Sequence, residues 1–263
     1  MRARTRDRAR HGVAAVAVVL LPALTLTGCG SGGSDRGAQT GTLTVLAASS
    51  LTEAFTTLAR DFEHDHPGTH VRLSFDSSAT LAEQVDQGAP ADVLATADQE
   101  TMRTVVDAGS TAGPPTVFAT NHLVLAVPRG DPAHIRRFRD IARPGVEYVV
   151  CVASAPCGKL AAKVLAASGI TAEPASEEVD VKAVLTKVRL DEADAGLVYA
   201  SDIVTAGNQV EKVDVPTAHQ NLNTYPVAAL SGAAKPALAR AWVELVTSPT
   251  GRKVLAHDGF GAP

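Results

Sequence analysis

Thr42-Leu-Thr-Val-Leu-Ala47 is a short apolar run of the kind that forms a buried β-strand. Apolar residues then recur at helical spacing from Leu51 to Phe62, and Pro67-Gly68 ends that helix because proline cannot continue it. Val71-Arg-Leu-Ser-Phe75 again alternates like a strand. Strand, helix and strand in this order predict a parallel sheet covered by helices.

The same alternation continues to the end of the chain and predicts an α/β fold with two lobes. A strand that ends at Pro128 takes the chain into a second lobe, 121–223, and the chain then returns to the first lobe, 42–120 and 224–263. The further predicted strands are Asp92–Thr96, His122–Val127, Glu147–Val152, Ala195–Tyr199, Val210–Val215 and Tyr225–Leu230. The further predicted helices are Leu81–Gln87, Gln99–Asp107, Gly158–Ser168, Val181–Val188, Pro236–Thr247 and Thr250–Ala256.

The N-terminus has the layout of an export signal. Five arginines within residues 2–10 precede the apolar run Gly12–Leu21, which is too short to span a bilayer. The segment ends Leu26-Thr-Gly-Cys29, which resembles the bacterial lipoprotein processing motif and implies lipidation of Cys29. We therefore expect a lipoprotein signal peptide at 1–28 and a flexible Gly/Ser tether at 29–41. The alternative is an ordinary signal peptide that contains a cysteine.

Composition excludes several classes of function. With 45% hydrophobic and 20% charged residues the chain is expected to fold, and its formal charge of −4 lacks the basic footprint of a nucleic-acid-binding protein. Removal of residues 1–28 would take away five arginines and one acid, so the mature chain is more acidic still. Aromatic residues make up only 4%, which argues against an aromatic-lined sugar cleft. We expect an exported protein, lipid-anchored on the outer face of the cytoplasmic membrane.

Four segments that join strands to helices are candidates for one binding site. Helix N-termini present unpaired N–H groups and the positive end of the helix dipole, which favours anions. N-capping is the alternative explanation for serine, threonine and aspartate at such positions. Two segments in each half of the chain favour a shared anionic ligand. The segments are Ala48-Ser-Ser-Leu-Thr52, Asp76-Ser-Ser-Ala-Thr80, Ala155-Pro-Cys-Gly-Lys159 and Glu178-Val-Asp-Val181.

An ordered set of motifs from about Leu43 to Phe260 resembles the molybdate-binding proteins of bacterial molybdate ABC transporters. This resemblance implies the type II periplasmic-binding-protein fold, in which two α/β lobes with a hinge close over an oxyanion in the interlobe ligand cleft. It implies no cofactor, and it implies an ABC permease with its ATPase as partners of a monomeric receptor. The motifs are Leu46-Ala-Ala-Ser-Ser-Leu-Thr52, Phe75-Asp-Ser-Ser-Ala-Thr-Leu81, Gly88-Ala-Pro-Ala-Asp-Val93, Ala97-Asp98, Ala195-Gly-Leu-Val-Tyr199 and Tyr225-Pro-Val227.

The resemblance also implies a set of ligand-binding residues. Ser50 and Ser78 match serines that donate their hydroxyls, and Tyr199 matches a tyrosine that donates its own. Cys157 and Val181 match positions that donate backbone N–H groups. Such neutral donors suit molybdate or tungstate, which stay deprotonated at neutral pH, and leave the proton of hydrogen phosphate unsatisfied.

Two departures from the family pattern carry expectations of their own. Asp76 precedes a serine pair, where an acid aimed at the site would repel a dianion; we expect it to face away and cap the turn. Cys151 and Cys157 either form a disulfide in an oxidising compartment or remain two buried thiols. The disulfide predicts a protein without a free thiol.

Other candidate features favour structural interpretations. His64 and His66 lie at a helix end, where exposure is expected rather than a metal, and no metal ligand set is assigned. Trp242 fits the core face of its helix, and Lys159 and Lys163 fit a solvated face. A receptor for sulfate, phosphate or another oxyanion remains the nearest alternative. An exported hydrolase is a further alternative without a recognisable catalytic motif.

Overall fold

The computed structural model of the protein describes residues 40–263. The predicted signal peptide, 1–28, and the lipidation site, Cys29, lie outside the described residues. The strands are β1 (Gly41–Ala48), β2 (Thr69–Asp76), β3 (Val93–Ala95), β4 (Thr116–Asn121), β5 (Leu123–Pro128), β6 (Tyr148–Cys151), β7 (Ser176–Glu178), β8 (Ala195–Tyr199), β9 (Val210–Val213) and β10 (Asn223–Ala229). The helices are α1 (Thr52–Asp65), α2 (Ser78–Asp86), α3 (Gln99–Asp107), α4 (Pro156–Ala167), α5 (Val181–Arg189), α6 (Ala200–Ala206), α7 (Pro236–Thr247) and α8 (Pro249–His257).

The strands form two five-stranded sheets. The first sheet has the order β2-β1-β3-β10-β4, and the second has the order β7-β6-β8-β5-β9. β2, β1 and β3 are parallel, as are β7, β6 and β8. The α/β class expected from the sequence is therefore confirmed.

The prediction of a parallel sheet is wrong for one strand of each sheet, β10 in the first and β5 in the second. β10 runs antiparallel to both β3 and β4, and β5 runs antiparallel to β8 and β9. The reason is the chain path: β4 leads directly into β5 in the other sheet, and β10 returns from the second sheet to the first. Both sheets are mixed because β5 enters the second sheet, and β10 the first, against the direction of the other strands.

Each sheet has its own hydrophobic core. In the first, Trp242 of α7 is fully buried and packs edge-on against Phe55 and Phe62 of α1, with ring centroids 5.5 Å apart in both pairs. The core assignment of Trp242 is confirmed. In the second, Val184 of α5 packs against Gly196 of β8, where an added Cβ would lie 2.7 Å from the valine side chain. This close approach brings the start of α5 to the sheet edge that carries Tyr199.

The two sheets meet where the chain crosses between them. Asn121, the last residue of β4, pairs with Asn223, the first residue of β10. The side-chain amide of Asn121 donates to the hydroxyl of Ser201 in α6, 2.8 Å away, so this crossing point is buried and hydrogen-bonded. Within residues 40–263, no helix combines the length and apolar character needed to cross a membrane.

Candidate functional site

The starts of four helical segments surround one small cavity between the two sheets. Two of them, the 3-10 turn that leads into α1 and helix α2, follow strands of the first sheet, and the other two, α4 and α5, belong to the second. All five residues assigned to the ligand by resemblance line this cavity. The lining residues are Ala48, Ser49, Ser50, Asp76, Ser77, Ser78, Ala97, Pro156, Cys157, Asp180, Val181 and Tyr199.

Backbone N–H groups of the first helical turns face this region without a helical acceptor. At the start of α4, the N–H of Lys159 donates to the carbonyl oxygen of Ala155. The N–H of Cys157 therefore precedes the i to i−4 hydrogen bonds of the helix. In α5 the corresponding bond runs from Val184 to Asp180, so the N–H of Val181 also precedes these hydrogen bonds. Unpaired N–H groups at helix starts are the usual backbone ligands of an oxyanion.

The hydroxyl of Ser78 lies at the cavity and is held by one hydrogen bond. Its Oγ accepts the N–H of Ala97 at 2.9 Å, and the side chain is 1% exposed. Because one lone pair is occupied by that bond, the hydroxyl proton remains available for another acceptor. Ser78 is the first residue of α2, so its own N–H is also outside the helical ladder.

The hydroxyl of Ser50 belongs to a network with Tyr225. The two oxygens are 3.0 Å apart, and either one can donate. Tyr225 is fully buried, and this burial raises the pKa of its hydroxyl well above the ordinary value. Tyr225 therefore keeps its proton and can donate it to Ser50, which frees the proton of Ser50 for a ligand. The sequence pattern marked Tyr225 as part of a motif but did not assign it to the site.

Tyr199 is held as a donor by Asn223. The amide of Asn223 donates to the phenolic oxygen of Tyr199 at 2.7 Å and lies 3.3 Å from the carbonyl oxygen of Pro156. Burial raises the pKa of the Tyr199 hydroxyl, so that it stays protonated throughout the neutral range. With its oxygen occupied as an acceptor, the hydroxyl proton is free for a ligand in the cavity. The sequence did not assign Asn223 to the site, because its contact with Tyr199 arises only when β10 returns to the first sheet.

N-capping explains only part of this arrangement. The side chain of Asp180 caps α5 by accepting the N–H of Ala183 at 3.0 Å. Ser77, the N-cap residue of α2, makes no side-chain capping bond. The capping alternative is therefore correct at Asp180 and wrong at Ser77, whose hydroxyl remains beside the cavity.

Asp76 both braces the turn and borders the cavity. Its Oδ1 accepts the N–H of Ser77 at 2.6 Å, which is the turn contact expected from the sequence. The residue nevertheless lies among those that line the cavity. One oxygen of its carboxylate therefore accepts a backbone N–H, and the carboxylate places negative charge at the edge of the cavity.

A buried carboxylate, Asp202, supports Tyr199 from behind. Its Oδ2 accepts the N–H of Tyr199 at 2.9 Å, and its Oδ1 lies 3.2 Å from Nζ of Lys182. Burial raises the pKa of Asp202 to about 6, against the opposing effect of Lys182. The pKa of Lys182 is also raised: burial disfavours its charge, but Asp202 and Glu53 outweigh that. This cluster could not be seen in the sequence because Glu53 and Lys182 are 129 positions apart.

The loop that carries Cys157 is tied to the second sheet by a disulfide. Cys151 at the end of β6 is bonded to Cys157 in the first turn of α4, with Cα atoms 5.7 Å apart. Gly158 follows directly, and a Cβ at this position would lie 2.0 Å from the carbonyl oxygen of Val152. The start of α4 is therefore pressed against the sheet, and only glycine fits there.

Neither histidine of the His64-Asp-His66 motif faces the cavity. Nδ1 of His64 lies 2.9 Å from Asp65, and His66 stacks on Phe62 at the end of α1. In the part of the chain that the structure describes, no three His, Cys, Asp or Glu side chains come together as a metal site would require. A larger cavity of about 660 Å³ lies beside β9 and the end of α4, remote from the four helix starts.

Comparison with known proteins gives consistent matches over almost the whole described chain. The family model for bacterial extracellular solute-binding proteins matches residues 43–261. The molybdate-binding protein ModA of Mycobacterium tuberculosis H37Rv is 43% identical over 90% of this chain and 93% of its own. ModA of Escherichia coli K12 is 32% identical over 85% and 90%, respectively.

Among solved structures, the periplasmic molybdate-binding protein of Azotobacter vinelandii superposes with a TM-score of 0.76. It covers 84% of this chain and 99% of its own, at 21% identity. At that level of identity the likeness concerns the fold.

Proposed function

Because this chain belongs to the bacterial extracellular solute-binding proteins, we propose that it captures molybdate or tungstate and delivers it to an ABC importer. One observation carries the choice of an oxyanion: neutral donors from both sheets converge on a single small cavity. The name of the relatives at 43% and 32% identity supports molybdate within that class.

The cavity suits a tetrahedral dianion by its donors. Serine and tyrosine hydroxyls and unpaired N–H groups replace the water shell of an anion with oriented dipoles. We assign the hydroxyls of Ser50, Ser78 and Tyr199 and the N–H groups of Cys157 and Val181 to the anion oxygens. Each of the three hydroxyl oxygens already has a partner within the protein, which orients its proton for this task.

Binding is proposed to close two lobes, 42–120 with 224–263 and 121–223. The crossing strands supply a hinge at Asn121 and at Asn223–Thr224, where the two sheets are joined. Donors from both lobes meet on one anion, so the closed form is favoured only when the anion is present. Anion binding involves no covalent step. The protein acts as a receptor rather than an enzyme, and it uses no cofactor.

The remaining assignments concern the cellular setting. The protein is proposed to be a monomer on the outer face of the cytoplasmic membrane, anchored by a lipid on Cys29. Its partners would be a membrane permease and the ATPase that drives it. Metabolic labelling with a radioactive fatty acid tests the anchor: wild type should be labelled, and Cys29→Ser should not.

Isothermal titration calorimetry with molybdate, tungstate, sulfate and phosphate tests the proposal. Tight binding of molybdate and tungstate, with sulfate and phosphate at least about a hundredfold weaker, is the expected result; that ratio corresponds to about 2.7 kcal/mol. Binding of sulfate or phosphate alone would show that the receptor serves another oxyanion. Absence of binding to all four would remove the oxyanion assignment.

A further inference from the structure

A lysine-centred ion cluster joins the two sheets beside the cavity. Nζ of Lys182, in the first turn of α5, lies 3.0 and 2.8 Å from the two carboxylate oxygens of Glu53. Glu53 is in the first turn of α1, which covers the first sheet, whereas α5 covers the second. The same ammonium lies 3.2 Å from Asp202, so it bridges two carboxylates.

The position of this cluster ties it to the ligand site at three points. Lys182 follows Val181, and Glu53 lies three residues after Ser50, so each end of the bridge adjoins a proposed ligand residue. Asp202 accepts the N–H of Tyr199, a third proposed ligand residue. A movement of one sheet relative to the other would therefore separate Lys182 from Glu53 while leaving Lys182 with Asp202.

Solvent screens this cluster less than it screens an ordinary surface pair. The side chain of Lys182 is 23% exposed and that of Asp202 is fully buried, so solvent screens their charges only partly. Glu53 is more exposed, at 42%, and can reach water when the pair separates. When the pair separates, the carboxylate of Glu53 is therefore solvated at little cost in free energy, while Lys182 stays beside Asp202.

A second lysine bridge also joins a helix of the second sheet to a helix of the first. Nζ of Lys159 in α4 lies 3.1 Å from Glu100 and 3.7 Å from Asp98 at the start of α3. The prediction of a solvated face is therefore wrong for Lys159, although Lys163 is exposed. Glu100 is 73% exposed, so this bridge is screened more strongly than the first.

We propose that Lys182 is a positioning residue of the anion site, and that its bridge to Glu53 latches the closed form. The proposal rests on the proposed function, because a latch matters only if an anion closes the lobes. The latch acts after the anion is enclosed, so it slows release of the anion and leaves the rate of association nearly unchanged. Lys159 supplies a weaker bridge of the same kind.

A double-mutant cycle in the complete protein separates a latch from a general effect of charge. Lys182→Met and Glu53→Gln should each raise the Kd for molybdate about fivefold or more, chiefly through faster dissociation in stopped-flow measurements. The double variant should be no weaker than the worse single variant, because both changes remove the same contact. A charge swap is unsuitable because a carboxylate at position 182 would face Asp202.

Matched variants and controls complete the test. Lys182→Arg keeps the charge and should retain most of the affinity, while Lys163→Met and Glu83→Gln remove exposed charges elsewhere and should leave Kd unchanged. If Glu53→Gln leaves Kd unchanged or lowers it while Lys182→Met raises it, Lys182 acts as a charge near the anion and the latch is refuted. Additive effects in the double variant refute it as well. Failure of wild type to bind molybdate would instead count against the proposed function.

Discussion

The first sheet meets the cavity with serine side chains, whereas the second meets it with backbone N–H groups and one tyrosine. Ser50 and Ser78 are placed by single hydrogen bonds to Tyr225 and Ala97. The part of the cavity formed by the second sheet is held by stronger contacts. A disulfide fixes Cys157, and Asp202 accepts the N–H of Tyr199. Side-chain donors can be removed one at a time, but backbone donors can be lost only by moving the chain.

Gly158→Ala should produce the largest effect because it disturbs the backbone half of the site. A Cβ at this position would lie 2.0 Å from the carbonyl oxygen of Val152 and 2.6 Å from that of Cys151, both backbone atoms. We expect a loss of about 3 kcal/mol or more in the free energy of unfolding, at the upper end of overpacking costs. Urea denaturation measures it, with Gly232→Ala, which has open space around it, as the control. Equal stability of the two variants would contradict the close packing at Gly158.

Removal of single hydroxyls should give the next largest effects, and on affinity more than on folding. Tyr199→Phe and Ser78→Ala should each weaken molybdate binding by about 1.5–3 kcal/mol, the usual contribution of a hydrogen bond to a charged partner. Ser78→Ala should also destabilise the protein, because the buried N–H of Ala97 loses its acceptor. Tyr199→Phe should not, since Asn223 can still donate to Pro156.

Two controls match these substitutions. Tyr148→Phe removes a hydroxyl that donates to the carbonyl of Ala172, in the same sheet but away from the cavity. Ser74→Ala removes an exposed hydroxyl on β2. Calorimetry should find both controls with the affinity of wild type, and equal losses in controls and site variants would withdraw the hydroxyl assignments.

Many of the helices and strands could be predicted from the sequence, but not all of them. Apolar periodicity located β8, α3 and α7 to the residue and most other elements within a few positions, because their buried faces determine the pattern. It missed β4, which lies directly before the strongly apolar β5, and β7, whose Ser-Glu-Glu sequence is that of a polar edge strand. It also missed α6, which begins directly after a strand. The antiparallel direction of β10 depends on contacts between distant segments of the chain, which no local sequence pattern indicates.

The residues that line the candidate cavity were predictable to a similar extent. Residues at helix starts, such as Ser78 and Val181, follow from the local order of strand and helix together with the family resemblance. Asn223, Asp202 and Lys182 could not be predicted because each acts through a partner in another segment. Their roles arise from the crossing of the chain between the sheets, which is a property of the fold.

Loss of the disulfide should affect the second half moderately. In a Cys151→Ala/Cys157→Ala variant we expect the free energy of unfolding to fall by about 2 kcal/mol, as for a short cross-linked loop. Affinity for molybdate should fall only a few-fold, because the N–H of residue 157 remains. Mass spectrometry of the peptide with both cysteines, alkylated without reductant, checks the premise. Two alkylated thiols in the unfolded wild-type protein would contradict it.

Asp76→Asn should give the smallest effect. Asparagine can still accept the N–H of Ser77, so the turn is kept while one negative charge leaves the cavity edge. We expect unchanged or slightly tighter molybdate binding, with stability within about 0.5 kcal/mol of wild type. Asp86→Asn removes the same charge from an exposed position of α2 and serves as the control. Weakening of molybdate binding beyond tenfold in Asp76→Asn alone would make Asp76 a ligand-supporting group.

A crystal structure of the protein with molybdate, with anomalous diffraction data collected at the molybdenum edge, would show whether donors from both sheets hold one anion. We expect one strong anomalous peak in the cavity, with anion oxygens within hydrogen-bond distance of Ser50, Ser78 and Tyr199 and of the N–H groups of Cys157 and Val181. Molybdenum bound elsewhere, or bound in the cavity by donors from only one of the two sheets, would contradict this expectation.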